Sequence, residues 1–183
     1  MRVIAGTAKR LQLKCIDGME TRPTTDRIKE TLFNIINDDV YNGVFVDLFA
    51  GSGGIGIEAL SRGAAQAIFV EKNRNAVNII QENLKHTRLD DRAQIICADV
   101  LVAIERLNSL EHIDVIYMDP PYKLGIEPEV LKRLVDLKCI DGDTIIIIEA
   151  DLKTCFDFIS DMPYTIERIK NYKSNKHIFI SRK

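Results

Sequence analysis

Asp119-Pro120-Pro121-Tyr122 closes the strand-like run that begins at Ile113. Proline fixes its own φ, lacks an N–H and disfavours helix in the residue before it, so the tetrad is a stiff stop. It is also a set of fixed acceptors. The Asp119 carboxylate and the Pro120 carbonyl could take the two N–H bonds of an exocyclic nucleobase amine, while Tyr122 offers a flat face for the base. Such an amine is a poor nucleophile because its lone pair is delocalised into the ring. Two rigid acceptors would localise that pair and aim it at an electrophile, with alignment in place of a metal or a covalent intermediate. The plain reading, a Pro-rich strand stop with a surface tyrosine, accounts for the prolines alone.

A second constellation lies upstream. In "VDLFAGSGGIGIEAL", Gly51, Gly53 and Gly56 stand in GxGxxG spacing between a strand that includes Asp47 and a helix. Glycines allow a tight turn and a close backbone approach, and the helix start offers free N–H groups, Ser52 and Gly53 among them. Glu71 closes the next strand, where an acid can hydrogen-bond ribose hydroxyls. Asp99, at the end of the third strand and next to Val100, falls where an adenine amino group would lie, and it is also placed to cap the following helix. This order predicts a nucleoside-cofactor site but does not separate NAD from S-adenosylmethionine. The acidic Pro-Pro rim favours S-adenosylmethionine, because a dehydrogenase has no evident use for it.

Strand and helix patterns alternate in a way that would position these residues. Strand-like runs cover Val44–Phe49, Ala67–Glu71, Gln94–Ala98, Ile113–Asp119 and Thr144–Glu149, and helices are predicted to start near Gly54, Asn73, Val100, Glu127 and Leu152. Right-handed crossovers then give a doubly wound, mostly parallel α/β sheet with helices on both faces. The wholly apolar 144–148 stretch fits a strand covered on both sides. Thr165–Ile169 and His177–Ile180 flank "YKSN" and predict a closing antiparallel hairpin, for a seven-stranded Rossmann-like sheet in all. Ahead of it, Val3–Ala5 and Leu11–Leu13 suggest a small β-hairpin, and Thr24 or Thr25 is placed to cap a helix through Ile28, Leu32 and Ile36. The division expected is a hairpin-and-helix appendage at 1–40 and the Rossmann-like domain at 41–183.

The 183 residues are 46% hydrophobic and 28% charged, as in a globular domain. No run is long or apolar enough for a signal peptide or a membrane span, so the cytoplasm is expected. Cys15, Cys97, Cys139 and Cys155 form no CxxC pair and are expected as reduced core thiols; the three histidines are scattered, and no metal site is expected. Net charge is −2, but residues 1–36 carry +3 and residues 168–183 carry +6, leaving −11 between them. Basic ends on an acidic body can gather a polyanion at one surface, although a solvated basic tail has the same composition. Arg2, Lys9, Arg10, Lys14 and Arg22 are the candidate phosphate contacts.

These motifs resemble a known family. The glycine loop with "DPPY" is similar to class I S-adenosylmethionine-dependent amino-methyltransferases. Together with "RVIAGTAKRLQL" and "TRPTTDRIKETLFNII", they resemble the RsmD family, which methylates guanine N2 in bacterial small-subunit (16S) ribosomal RNA. The resemblance runs from near residue 1 to about 125. It implies that Gly51, Gly53 and Glu71 contact S-adenosylmethionine, with Asp99 at its adenine. Asp47, Ser52 and Val100 join that cofactor set. Asp119 to Tyr122 would meet the target base, and Thr24, Asp26 and Arg27 would line the cofactor or substrate cleft. Where many members carry Trp-Arg after the early glycine, this chain has Ala8-Lys9-Arg10. The partner implied is ribosomal RNA in a small-subunit or assembly particle; the residues do not fix the oligomeric state, and a monomer is favoured. The same rim could instead serve a DNA adenine or a protein glutamine amide. A NAD-binding oxidoreductase would rest on the glycine loop alone, and a catalytically silent RNA-binding assembly factor on the basic ends alone.

Overall fold

The computed structural model describes residues 1–15, 25–121 and 124–183. Thr25 caps α1 (Asp26–Ile35), its Oγ1 accepting the Ile28 N–H at 3.4 Å, and α2 (Asn37–Val40) adds one turn. The alternating body follows as β1 (Val44–Asp47), α3 (Gly54–Ser61), β2 (Gln66–Glu71), α4 (Arg74–Thr87), β3 (Ala93–Cys97), α5 (Val100–Leu107), β4 (Val115–Met118), α6 (Glu127–Val135) and β5 (Ile145–Asp151). β6 (Tyr164–Asn171) and β7 (Asn175–Arg182) form the closing hairpin.

The strands lie in the order β3-β2-β1-β4-β5-β7-β6, with β1 to β5 mutually parallel and β7 antiparallel to both its neighbours. The chain winds outward through β2 and β3, then restarts beside β1 at β4. That reversal opens a crevice at the carboxyl ends of β1 and β4, where open α/β sheets bind ligands.

Period-two alternation feeds two cores. Val46, Ile68, Val70, Ile116, Met118 and Ile148 face α5 and α6, whereas Phe45, Phe69, Tyr117, Ile147 and Phe179 face α1, α3 and the N-terminal segment. Burial on both faces explains the unbroken apolar run of β5. Gly56 of α3 lies against the Phe69 ring, and an added Cβ there would collide with it. Gly56→Ala is therefore expected to cost about 1–3 kcal/mol, read as a lowered urea midpoint.

The expected small N-terminal hairpin forms around the antiparallel Arg2–Gln12 bridge, with Val3 N–H donating to the Leu11 carbonyl at 3.0 Å and Leu13 N–H to the Met1 carbonyl at 2.8 Å. Beyond it the backbone turns to α3: Ile4 and Ala5 N–H reach the Glu58 carboxylate at 2.8 and 3.0 Å, and Ala8 N–H reaches Ser61 Oγ at 2.9 Å. Two expectations need correction. The helix expected near Leu152 is a turn followed by a 3₁₀ segment at Asp157–Asp161. Residues 152–163 must carry the chain back along the sheet from the end of β5 to the start of β6. As an α-helix they would rise only about 18 Å, short of the roughly 26 Å of an eight-residue strand. Finally, only Cys139 is buried; Cys15, Cys97 and Cys155 are exposed free thiols. No helix among the described residues is long and apolar enough to cross a membrane.

Candidate active site

A cleft of about 470 Å³ opens at the carboxyl edge, lined by Glu71, Asp99 and Asp119 around a floor of Leu48, Val70 and Val100, with Pro121, Leu124 and Ile126 on one lip. This volume lies in the ~300–1,000 Å³ range of small-ligand sites. The sequence reading placed all three acids here.

The glycine loop forms the near wall. Gly51 and Gly53 have φ of 55° and 83°, the left-handed region that favours glycine, and Gly53 starts α3. A Cβ on Gly51 would meet nothing within 4 Å, so the backbone is bare toward open space. Glu71 holds the loop from the next strand: Oε2 accepts the Gly51 N–H at 2.9 Å and Oε1 accepts the Asn73 N–H at 2.8 Å. Ser52 does not line the cleft; its carbonyl accepts from Asn83 Nδ2 at 2.9 Å. The same buried amide bonds the Lys14 backbone in both directions, tying the N-terminal segment to the loop.

Asp47 is fully buried behind the loop rather than on the cleft wall. Burial pushes its carboxyl up to about 7, against hydrogen bonds from the Phe49 and Gly56 backbone, and Oδ1 has no partner among the described residues. Asp99 caps α5, Oδ1 accepting the Leu101 N–H at 3.1 Å.

Asp119 is half-buried at the cleft, and no N–H or O–H among the described residues donates to its carboxyl. Burial, then the charges of Glu149 and Asp47, push it up to about 8. Pro120 is buried and does not line the cleft; its carbonyl has no donor among the described residues. Sequence reading missed what lies beneath. Glu149, in β5, accepts from Tyr117 Oη and Asn175 Nδ2, and His177 Nε2 lies 3.1 Å from Glu149 Oε2. Burial alone would raise Glu149, yet these bonds and the His177 charge draw it below the usual carboxylate range. The available signal was a glutamate near the carboxyl end of an otherwise apolar strand.

Among the remaining candidates, Arg2 pairs with Asp26 at 2.8 Å and Lys14 with Glu82 at 2.7 Å, both at the surface. Lys9, Arg10 and Arg27 are exposed and make no ion pair among the described residues. Asp26 and Arg27 do not line the 470 Å³ cleft. Arg22, Thr24 and Tyr122 lie outside the described residues.

A glycine loop after β1, an acid closing β2, an acidic Pro-Pro stop after β4 and a β5-β7-β6 ending make this the fold of the class I methyltransferases. The family model described as Conserved hypothetical protein 95 matches residues 1–181. The Ribosomal RNA small subunit methyltransferase D of Escherichia coli (strain K12) is 30% identical over 153 residues, 84% of this chain and 76% of that one. YlbH of Bacillus subtilis is 40% identical over 152 residues, 82% of this chain and 83% of that one. The chain belongs to this family, the RsmD family. Among solved structures, Escherichia coli yhhF superposes with a TM-score of 0.85 at 27% identity, covering 100% of this chain and 98% of that one.

Proposed function

We propose that this chain transfers a methyl group from S-adenosylmethionine to the exocyclic N2 amine of a guanine in 16S ribosomal RNA. The relatives named Ribosomal RNA small subunit methyltransferase D, from Escherichia coli and Haemophilus influenzae, support the ribosomal substrate. The single observation that carries the chemistry is the Asp119 carboxyl, which lines the cleft and has no donor among the described residues.

The residues present fit the cofactor. Gly51 leaves the room a nucleoside needs, Leu48, Val70 and Val100 offer an apolar bed, and Asp99 is placed for an adenine amino group. Glu71 carries unused lone pairs for ribose hydroxyls beside its two backbone bonds. Bound there, S-adenosylmethionine supplies an electrophilic methyl. Asp119 and the Pro120 carbonyl hold the two amine hydrogens and so aim the nitrogen lone pair. Tyr122 stacks on the base, and Pro120 and Pro121 keep the acceptors still. Asp119, or water, accepts the proton that leaves. Asp47 steadies the turn through Phe49 and Gly56, and the Gly53 N–H closes it by donating to the Ala50 carbonyl at 2.7 Å. Lys9 and Arg10 contact phosphates, with Arg2 and Lys14 extending that surface. Residues 1–40 serve as the RNA-side appendage of a catalytic body at 41–183, and Asp26 and Arg27, at the start of α1, meet the RNA rather than the cofactor.

Two measurements test this reading. Calorimetry is expected to show micromolar binding of S-adenosylmethionine, lost about tenfold or more in Glu71→Ala with the fold retained. Mass mapping of 16S ribosomal RNA from cells lacking the chain is expected to lose one N2-methylguanine, restored when the chain returns. Binding of NAD but not of S-adenosylmethionine would overturn the proposal, as would an unchanged ribosomal RNA.

A further inference from the structure

We propose that the open edge of the sheet, strand β6 with the turn that follows it, is a second RNA-binding surface that grips the phosphate backbone beside the target base. The inference rests on the reading of the substrate as RNA. It goes beyond that reading by assigning Arg168, Lys170 and Lys173, which lie far in sequence from the N-terminal candidates.

The topology carries the argument. β6 is the outermost strand, three places from β4 in the order β4-β5-β7-β6, so it lies about 14 Å across the sheet. Because β7 runs antiparallel to β5, Asp151 pairs with Asn175, and the 172–174 turn sits at the carboxyl edge that holds Asp119. Glu149, His177 and Lys170 stand in one cross-strand row, which extends the row beneath the catalytic rim to the edge strand. A register shift between Ile166 and Arg168 sorts the side chains of β6. Ile166 and Ile169 pair with Ile180 and Ile178, on the α5–α6 face. Arg168 and Lys170 pair with Phe179 and His177, on the face that also carries the N-terminal segment and its Lys9 and Arg10. Arg168 and Lys170 therefore share one side of the sheet with Lys9 and Arg10.

The charges on this edge are available. Arg168, Lys170 and Lys173 are exposed, and none makes an ion pair or a side-chain hydrogen bond among the described residues. At the other end of the chain, Arg2 and Lys14 are already paired with Asp26 and Glu82. Lys176 is committed as well, donating to the Leu152 and Thr154 carbonyls at 3.2 and 2.7 Å. Edge strands also carry charge simply to block strand-to-strand pairing. That role is served by either sign, whereas residues 168–183 hold six Lys/Arg and no acid. A run of one sign beside a nucleobase cleft fits a polyanion.

The test compares the full chain with the triple variant Arg168→Gln, Lys170→Gln, Lys173→Gln. An equal charge loss at the opposite, amino edge serves as control: Lys85→Gln, Arg106→Gln, Lys138→Gln. Affinity for isolated small ribosomal subunits and for a 16S transcript is titrated across KCl concentrations, with S-adenosylmethionine binding measured in parallel. The β6 variant is expected to bind RNA about tenfold or more weakly, with a log–log salt slope shallower by about 2. Its KM for RNA should rise while kcat and S-adenosylmethionine affinity stay near the parent, and the control should behave like the parent. If the parent binds RNA and the β6 variant matches it in affinity and slope, this proposal falls while the methyltransferase reading stands. Should that variant also self-associate, the charges are there to block strand pairing. A parent that binds S-adenosylmethionine but neither binds nor methylates RNA overturns both.

Discussion

Replacing Asp119 by asparagine is expected to abolish methyl transfer and, at alkaline pH, to make the protein more stable. Asparagine keeps the shape but replaces one acceptor oxygen with a donor, which opposes the amine it must receive. A loss of about 10²–10³-fold in kcat is expected, comparable to removal of one preorganised transition-state partner. The stability gain follows from the burial that lifts the Asp119 carboxyl to about 8, aided by Glu149 and Asp47. Below the unfolded value both states hold the proton and nothing is lost. As pH rises from there through about 8, the native state must give up a proton it holds more tightly than the unfolded chain does, so native stability falls. The parent should therefore melt below Asp119→Asn at alkaline pH, by more than about 3 °C, and the two should converge near pH 4. In the parent, kcat/KM should rise with pH through about 8 as the carboxylate forms, and Glu149→Gln should move that midpoint down. Labelled-methyl transfer to ribosomal RNA and calorimetric melting check both halves. Activity of Asp119→Asn within threefold of the parent would remove Asp119 from the chemistry.

Glu58→Ala is expected to produce the largest loss of stability. The Glu58 carboxylate has no solvent exposure, and it lies 2.8 Å from Arg62 Nε and 3.2 Å from Lys29 Nζ. It also accepts the Ile4 and Ala5 N–H groups, while Lys29 Nζ donates to the Arg2 carbonyl at 2.6 Å. One side chain thus pins the N-terminal segment, α1 and α3 together. Its removal strands a buried lysine, a loss of about 3–5 kcal/mol, or roughly 10 °C or more in melting temperature. Burial already draws Lys29 below its ordinary value, with Glu58 opposing the shift. Without Glu58 the burial effect dominates, and the lysine sheds its charge at lower pH. The native state then binds fewer protons than the unfolded chain, so the defect should be worst in acid and ease as pH rises. Adding Lys29→Met should recover part of the loss, because it removes the stranded charge. RNA affinity should fall with the displaced Lys9 and Arg10 even where S-adenosylmethionine binding persists. A change under about 1 kcal/mol in urea unfolding would contradict this account of how the N-terminus is held.

The cleft was legible in the sequence because each part of it is local. A strand's alternation and a helix's spacing arise from sterics within a few residues. Gly51 and Gly53 announce their turn by composition, and Asp119-Pro120-Pro121 is a stop whatever surrounds it. The failures are non-local. Nothing in the sequence tied the N-terminal hairpin to α3, and the helix expected after Leu152 had too short a rise for the path it had to cover.

Residue order alone established the βα alternation, the glycine loop with its closing acid and the rigid acceptors after β4, all consequences of backbone sterics that act at short range. The fold in space established that the Glu149 charge, held by His177, bears on Asp119, that Lys29, Glu58 and Arg62 share one buried cluster, and that Arg168 and Lys170 share a face with the N-terminal segment. Desolvation and ion pairing act between groups with no fixed separation along the chain. Their partners are chosen only when the strands take their order.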